Sequence, residues 1–127
     1  PALAVTGNVI KALEEQDFLY DSSLTNSALY SRFTPRFAPF RIGEKGLMEV
    51  PLTAQDSMFT NDVRLSPEQI GRIVTRLIDL ATRNGGTLAL NFHPIIIAAD
   101  PDGYAGVISA LTKSGLKQHL MKDLATR

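Results

Sequence analysis

The 127-residue sequence predicts a single α/β domain, residues 1–127, built on a largely parallel sheet. Three observations carry that expectation. Residues 87–94, TLALNFHP, are an apolar run bounded by Gly85-Gly86 and by Pro94, as expected of a strand buried on both faces. Ser66-Pro67-Glu68-Gln69 opens a long amphipathic helix just before that run. Helical and strand-like segments alternate in the order helix, strand, long loop, strand, helix, strand, helix, helix.

Thr6 is placed to cap a first helix, with Val9, Ile10 and Leu13 on one face and a stop near Asp17. Phe18-Leu19-Tyr20 reads as a short strand, and Asp21-Ser22-Ser23 follows at its C-terminal end. Residues 24–47 read as irregular, because Pro35, Pro39, Gly43 and Gly46 punctuate them. Residues 47–53 read as a strand whose Pro51 marks an edge or an end. Residues 54–65 read as a second loop, with Asp56 and Asp62 as its carboxylates. In the helix that Ser66 caps, Ile70, Ile73, Val74, Leu77 and Ala81 form the buried stripe, while Glu68 with Arg72 and Asp79 with Arg83 face out. After Ile95-Ile96-Ile97, Asp100-Pro101-Asp102 opens another helix by the same cap-then-proline logic. Gly115 breaks it, and Leu116, Leu120, Met121 and Leu124 mark a last short helix that carries an exposed His119.

Composition removes several classes of function. Lys and Arg together number 13, as do Asp and Glu, and no basic run exists. Charge therefore gives no support to nucleic acid or an anionic membrane as partner. There is no cysteine, so disulfides and thiolate metal sites are excluded, and the compartment is left open. No apolar run approaches a membrane span, and the N-terminus lacks the pattern of a signal peptide. No P-loop, dinucleotide fingerprint, nucleophile elbow or paired-histidine metal motif occurs.

What remains is one histidine and one carboxylate at strand ends. His93 sits where the buried strand runs out, and such ends are where ligands meet parallel α/β proteins. The bland alternative is a histidine that caps the strand and bonds to backbone. Asp21 ends another strand, with a turn carboxylate as its bland alternative. Neighbouring parallel strands put both on one rim. A carboxylate beside an imidazole favours its protonated form and holds its orientation, which suits a general acid. Arg32, Arg36 and Arg41, set among Tyr30, Phe33, Phe37 and Phe40, either line a sugar-binding or anionic cleft or are solvated or paired with carboxylates.

Three stretches carry a resemblance. ALEEQDFLYDSSL resembles the helix and Asp-ending strand of polysaccharide deacetylases (carbohydrate esterase family four, chitooligosaccharide deacetylase-like). PFRIGEKGLMEVPLT is similar to a hairpin-like insertion of bacterial members, and GGTLALNFHP resembles the family's final strand with Leu, one residue, then His. The resemblance spans residues 8–94 in the family's order. It implies the C-terminal part of a distorted (β/α) barrel, and hydrolysis of carbohydrate N-acetyl groups with a divalent metal, usually zinc. By position, His93 is expected to protonate the leaving amine and Asp21 to tune it. Leu90 or Asn91 is expected to approach the acetyl pocket, and Tyr20 to contact substrate. The family's leucine position is Asn91 here, and the tryptophan it often carries after the Asp is missing.

In that family the metal-binding and base aspartates and two metal-binding histidines precede the helix that opens this chain. None is present, so no metal ligand is assigned here, and Pro1 corresponds to the proline of an Arg-x-Pro motif. The expectation is a C-terminal half, inactive alone, whose partners are a carbohydrate and either a missing N-terminal half or a second copy. The alternative is a non-catalytic carbohydrate-binding or regulatory module of the same fold.

Overall fold

A computed structural model describes residues 5–24, 37–57 and 65–125. Thr6 caps helix α1 (Gly7–Glu15), its hydroxyl accepting from the Val9 amide at 3.4 Å. The chain leaves α1 through Asp17 at φ 55°, a left-handed conformation that Asp tolerates. The strand expected over residues 18–20 starts later. Phe18 and Leu19 are exposed, and β1 is Tyr20–Asp21.

Residues 40–46, irregular by their glycine and proline punctuation, belong instead to a regular pair with the strand that follows. Together they form a hairpin of β2 (Phe40–Ile42) and β3 (Leu47–Glu49), with Phe40 opposite Glu49. Gly43 and Gly46 take φ of 74° and 81° in the turn, which glycine adopts without a Cβ penalty. Tyr30, Arg32, Phe33, Arg36 and Asp62 lie outside the described residues. Of the other cleft candidates, Phe37 is buried and Arg41 is exposed, donating from Nη1 to the Gly46 carbonyl at 2.8 Å.

The turn is held from below by Glu14. Its carboxylate accepts from the backbone amides of Lys45 (2.8 Å), Glu44 (3.2 Å) and Leu47 (3.3 Å). Burial pushes this carboxyl up, but those amides outweigh it and hold the pKa below the ordinary 4.5. The sign follows from the native state holding the ionised form. Stability from this contact is present above the ordinary carboxylate range and is lost as pH falls through the lowered value. Glu14→Gln is therefore expected to weaken the fold near neutrality and to flatten the acid limb of its stability profile. Urea midpoints measured across acidic pH check this, and parallel profiles for the two proteins would refute it.

The long helix follows the sequence closely. Helix α2 (Pro67–Arg83) has a complete capping box, with Ser66 accepting from the Gln69 amide and Gln69 accepting from the Ser66 amide. Ile70, Val74, Leu77, Ile78 and Ala81 are buried, and Arg72 pairs with Glu68 at 2.7 Å on the exposed face. Ser66→Ala is expected to cost about 1 kcal/mol, the usual value of a cap, read as a lowered urea midpoint with an unchanged slope.

Strand β4 (Ala54–Gln55) replaces the start of the second expected loop, and it pairs in parallel with β5 (Leu90–Asn91), Gln55 opposite Asn91. The extended run 47–55 thus borders β1 first and β5 later. Val50 donates to the Asp21 carbonyl, and Thr53 donates to the Ala89 carbonyl at 2.8 Å. β1 and β3 are parallel, so both crossovers that the alternation implied are parallel pairs, while the hairpin adds an antiparallel one. Among the described residues the strands form two sheets and close no barrel.

Pro94 does not prolong the strand. It occupies the first turn of helix α3 (Pro94–Ala99), so the isoleucine run is helical and Ile95 is largely exposed. Asp100 caps α4 (Pro101–Lys113), accepting from the Gly103 amide at 3.0 Å. His119 precedes the last helix, α5 (Met121–Ala125), instead of lying on it. The strand period of two divides the core. Leu88, Leu90 and Phe92 pack with Ala54 against α2 and α4, while Ala89 and Val50 pack on the other side against Leu124 and Met121. No helix among the described residues is long and apolar enough to cross a membrane.

Candidate functional site

The parallel register of β4 with β5 decides the site. Gln55 lies opposite Asn91, so the residues just beyond each strand meet at one rim. Those residues are Asp56 and His93. Asp56 is 3% exposed, and its Oδ2 accepts from the His93 backbone amide. Its Oδ1 lies 2.6 Å from His93 Nδ1 and also accepts from the Ser57 amide at 2.8 Å. Two points of attachment fix both the main chain and the ring of His93. The His93 side chain remains 45% exposed, which leaves Nε2 as the ring nitrogen not engaged by the carboxylate.

Neighbouring contacts hold this rim. Phe92 packs edge-on against Tyr104 of α4, with ring centroids 5.1 Å apart and planes at 78°. His93 is the N-cap of α3 with extended backbone, φ −93° and ψ 129°, and its side chain makes no cap hydrogen bond. The capping alternative is therefore excluded for the imidazole, which is committed to Asp56. The cavity beneath α3, lined by Asp56, Phe92 and Tyr104 among others, measures about 20 Å³. A sugar cannot enter it, so any substrate approaches His93 from its exposed side.

Asp21 is corrected as the partner of the imidazole. It belongs to the other sheet, beside Glu49, and its Oδ1 accepts from Ser23 Oγ at 2.8 Å. The physical reason is that β1 borders the early part of the 47–55 run, whereas β5 borders its end. Tyr20 is half-buried on the same sheet, opposite Met48. Leu90 is half-buried against the helical core, while Asn91 is exposed on the opposite face of β5. A larger cavity of about 580 Å³ lies between β5 and α5, lined by Leu88, Leu116, His119, Met121 and Leu124, and reaches neither His93 nor Asp56.

Glu49 was legible only as a strand residue. It is fully buried, its Oε1 accepts from the Leu24 amide at 3.0 Å, and burial pushes its carboxyl up to about 6, with the charge of Asp21 adding to the rise.

Among the described residues no group of three His, Cys, Asp or Glu converges. His93 Nδ1 and Asp56 are bonded to each other. A catalytic zinc needs three protein ligands, so these residues do not fit one by themselves. Comparisons with protein-family models, with curated proteins and with solved structures find no match to this chain.

Proposed function

We propose that this chain is the C-terminal part of a polysaccharide deacetylase, a hydrolase of the N-acetyl (C–N amide) groups of a carbohydrate. The observation that carries the reading is the buried Asp56 carboxylate on His93 Nδ1, in a ring whose side chain stays 45% exposed. Amide hydrolysis needs a proton on the departing nitrogen, because an amide anion is too basic to leave. The donating form is the imidazolium, in which both ring nitrogens carry hydrogen. Nε2–H gives its proton to the departing nitrogen, and Nδ1–H donates to Asp56 before and after the transfer, which holds the ring's orientation. Asp56 thus takes the tuning role that position had assigned to Asp21.

Asn91, exposed two residues before His93, is the nearest candidate for contact with the acetyl group. The divalent metal that the resemblance implies finds no complete ligand set among the described residues, and no step is derived through it. Its ligands would come from elsewhere in a longer polypeptide. The 127 residues alone are accordingly expected to bind no stoichiometric zinc and to release no acetate from acetylated chitooligosaccharides. Metal analysis after equilibrium dialysis, together with an acetate assay, tests this on the chain alone. Tight zinc with turnover would overturn the division of labour proposed here. A longer polypeptide that binds the sugar and hydrolyses nothing would favour the non-catalytic module.

A further inference from the structure

A second pair of acids lies outside the candidate site. Asp21 and Glu49 are register partners in the parallel pair β1 with β3. Glu49 is fully buried, and as register partners the two side chains stand side by side on one face of the sheet. Asp21 Oδ2 and Glu49 Oε2 are both buried without a hydrogen-bond partner. The remaining oxygens are satisfied, by Ser23 Oγ on Asp21 and by the Leu24 amide on Glu49. Two ionised carboxylates can only accept, so a face-to-face pair leaves an orphan on each. One proton placed between them converts one group into a donor and satisfies both.

We propose that Asp21 and Glu49 share one proton and act as a pH-sensitive latch on residues 22–24 at the C-terminal end of β1. The latch has three backbone attachments: Glu49 holds the Leu24 amide, Ser22 Oγ donates to the Val50 carbonyl at 2.7 Å, and Val50 donates to the Asp21 carbonyl at 2.9 Å. Loss of the shared proton puts two negative charges in contact within the sheet and pushes β1 from β3. Among the described residues the charged groups on the elements packed here are engaged elsewhere or exposed. Glu14 of α1 is occupied by the hairpin turn, Lys11 pairs with Glu15, Arg41 of β2 bonds Gly46, and Lys45 Nζ donates to the Glu14 carbonyl. Lys122 and Asp123 of α5 are exposed. The folded state holds the proton that the unfolded chain gives up near 4.5, so the latch weakens as pH rises from there through about 6.

Carboxyl-resolved NMR titration of the full chain, with amide exchange at Leu24 and Val50, tests the proposal. Glu49 is expected to titrate near 6, and the Asp21 carboxyl resonance is expected to respond in the same transition. Opening at Leu24, corrected for intrinsic exchange, is expected to rise about tenfold per pH unit across that window. Asp21→Asn supplies a donor to Glu49 and is expected to return its titration toward the ordinary range, and Glu49→Gln to abolish the pH-dependent opening. If Glu49 titrates unchanged in Asp21→Asn, burial alone raises it and the latch is refuted. Suppression of the titration by millimolar Ca²⁺ or Mg²⁺ would equally refute it, in favour of a cation site. If neither variant folds, the wild-type curves decide, since two independent single-proton titrations contradict a shared proton. None of these outcomes depends on deacetylase activity.

Discussion

Replacing His93 by alanine is expected to lower kcat on an N-acetylated sugar about 10²–10⁴-fold, the usual contribution of a general acid, in a polypeptide that carries the activity. Metal content and KM are expected to change little, because the ring donates a proton and holds neither metal nor sugar in the proposed mechanism. The fold is expected to survive. The main-chain amide that Asp56 receives belongs to residue 93 whatever its side chain, and the imidazole is 45% exposed. Near-normal kcat on an unactivated amide would return His93 to a structural role.

Asp56→Asn is expected to reduce kcat by a similar order, about 10²-fold or more, and to cost about 1–3 kcal/mol of stability as well. The isostere has one acceptor where the carboxylate has two. If its oxygen faces His93 Nδ1 and the Ser57 amide, its NH₂ opposes the His93 backbone N–H. If it is turned over, its NH₂ opposes the Ser57 amide and forces Nδ1 to lose its hydrogen. One partly buried donor is orphaned in either case, and in the second Nδ1 must accept, so the ring cannot become the imidazolium that donates from Nε2. Paired measurements of kcat and urea midpoint separate the two effects. An Asp56→Asn enzyme that is fully active and fully stable would remove Asp56 from the account.

Legibility followed locality. Helix α2 was readable because cap, proline and apolar stripe lie within one stretch, and all three are used as the sequence implies. His93 was readable as the end of a buried run. Its partner was not. Asp56 appeared only as a loop carboxylate, since its meeting with His93 depends on the register of Gln55 against Asn91, a pairing across chain segments that no local pattern encodes. Glu49 was hidden for the same reason: its burial against Asp21 is set by strand order. The helix over residues 94–99 was not read, because Pro94 was read only as the end of the strand. Pro94 at the first helical position was the available signal, and it decided the outcome. The strand β2 was masked by Pro39 and by the hairpin glycines that in fact make its turn.

The central claim, that His93 protonates the leaving nitrogen, is tested most directly by varying the leaving group. The ratio of wild-type to His93→Ala kcat is to be measured in the active polypeptide on an N-acetyl amide and on an acetyl ester with a good leaving group such as 4-nitrophenolate. The ester departs without a proton. The account predicts a deficit of about 10²–10⁴-fold on the amide and little or none on the ester. An equal deficit on both substrates would contradict it, because the histidine would then serve a step that leaving-group protonation does not control.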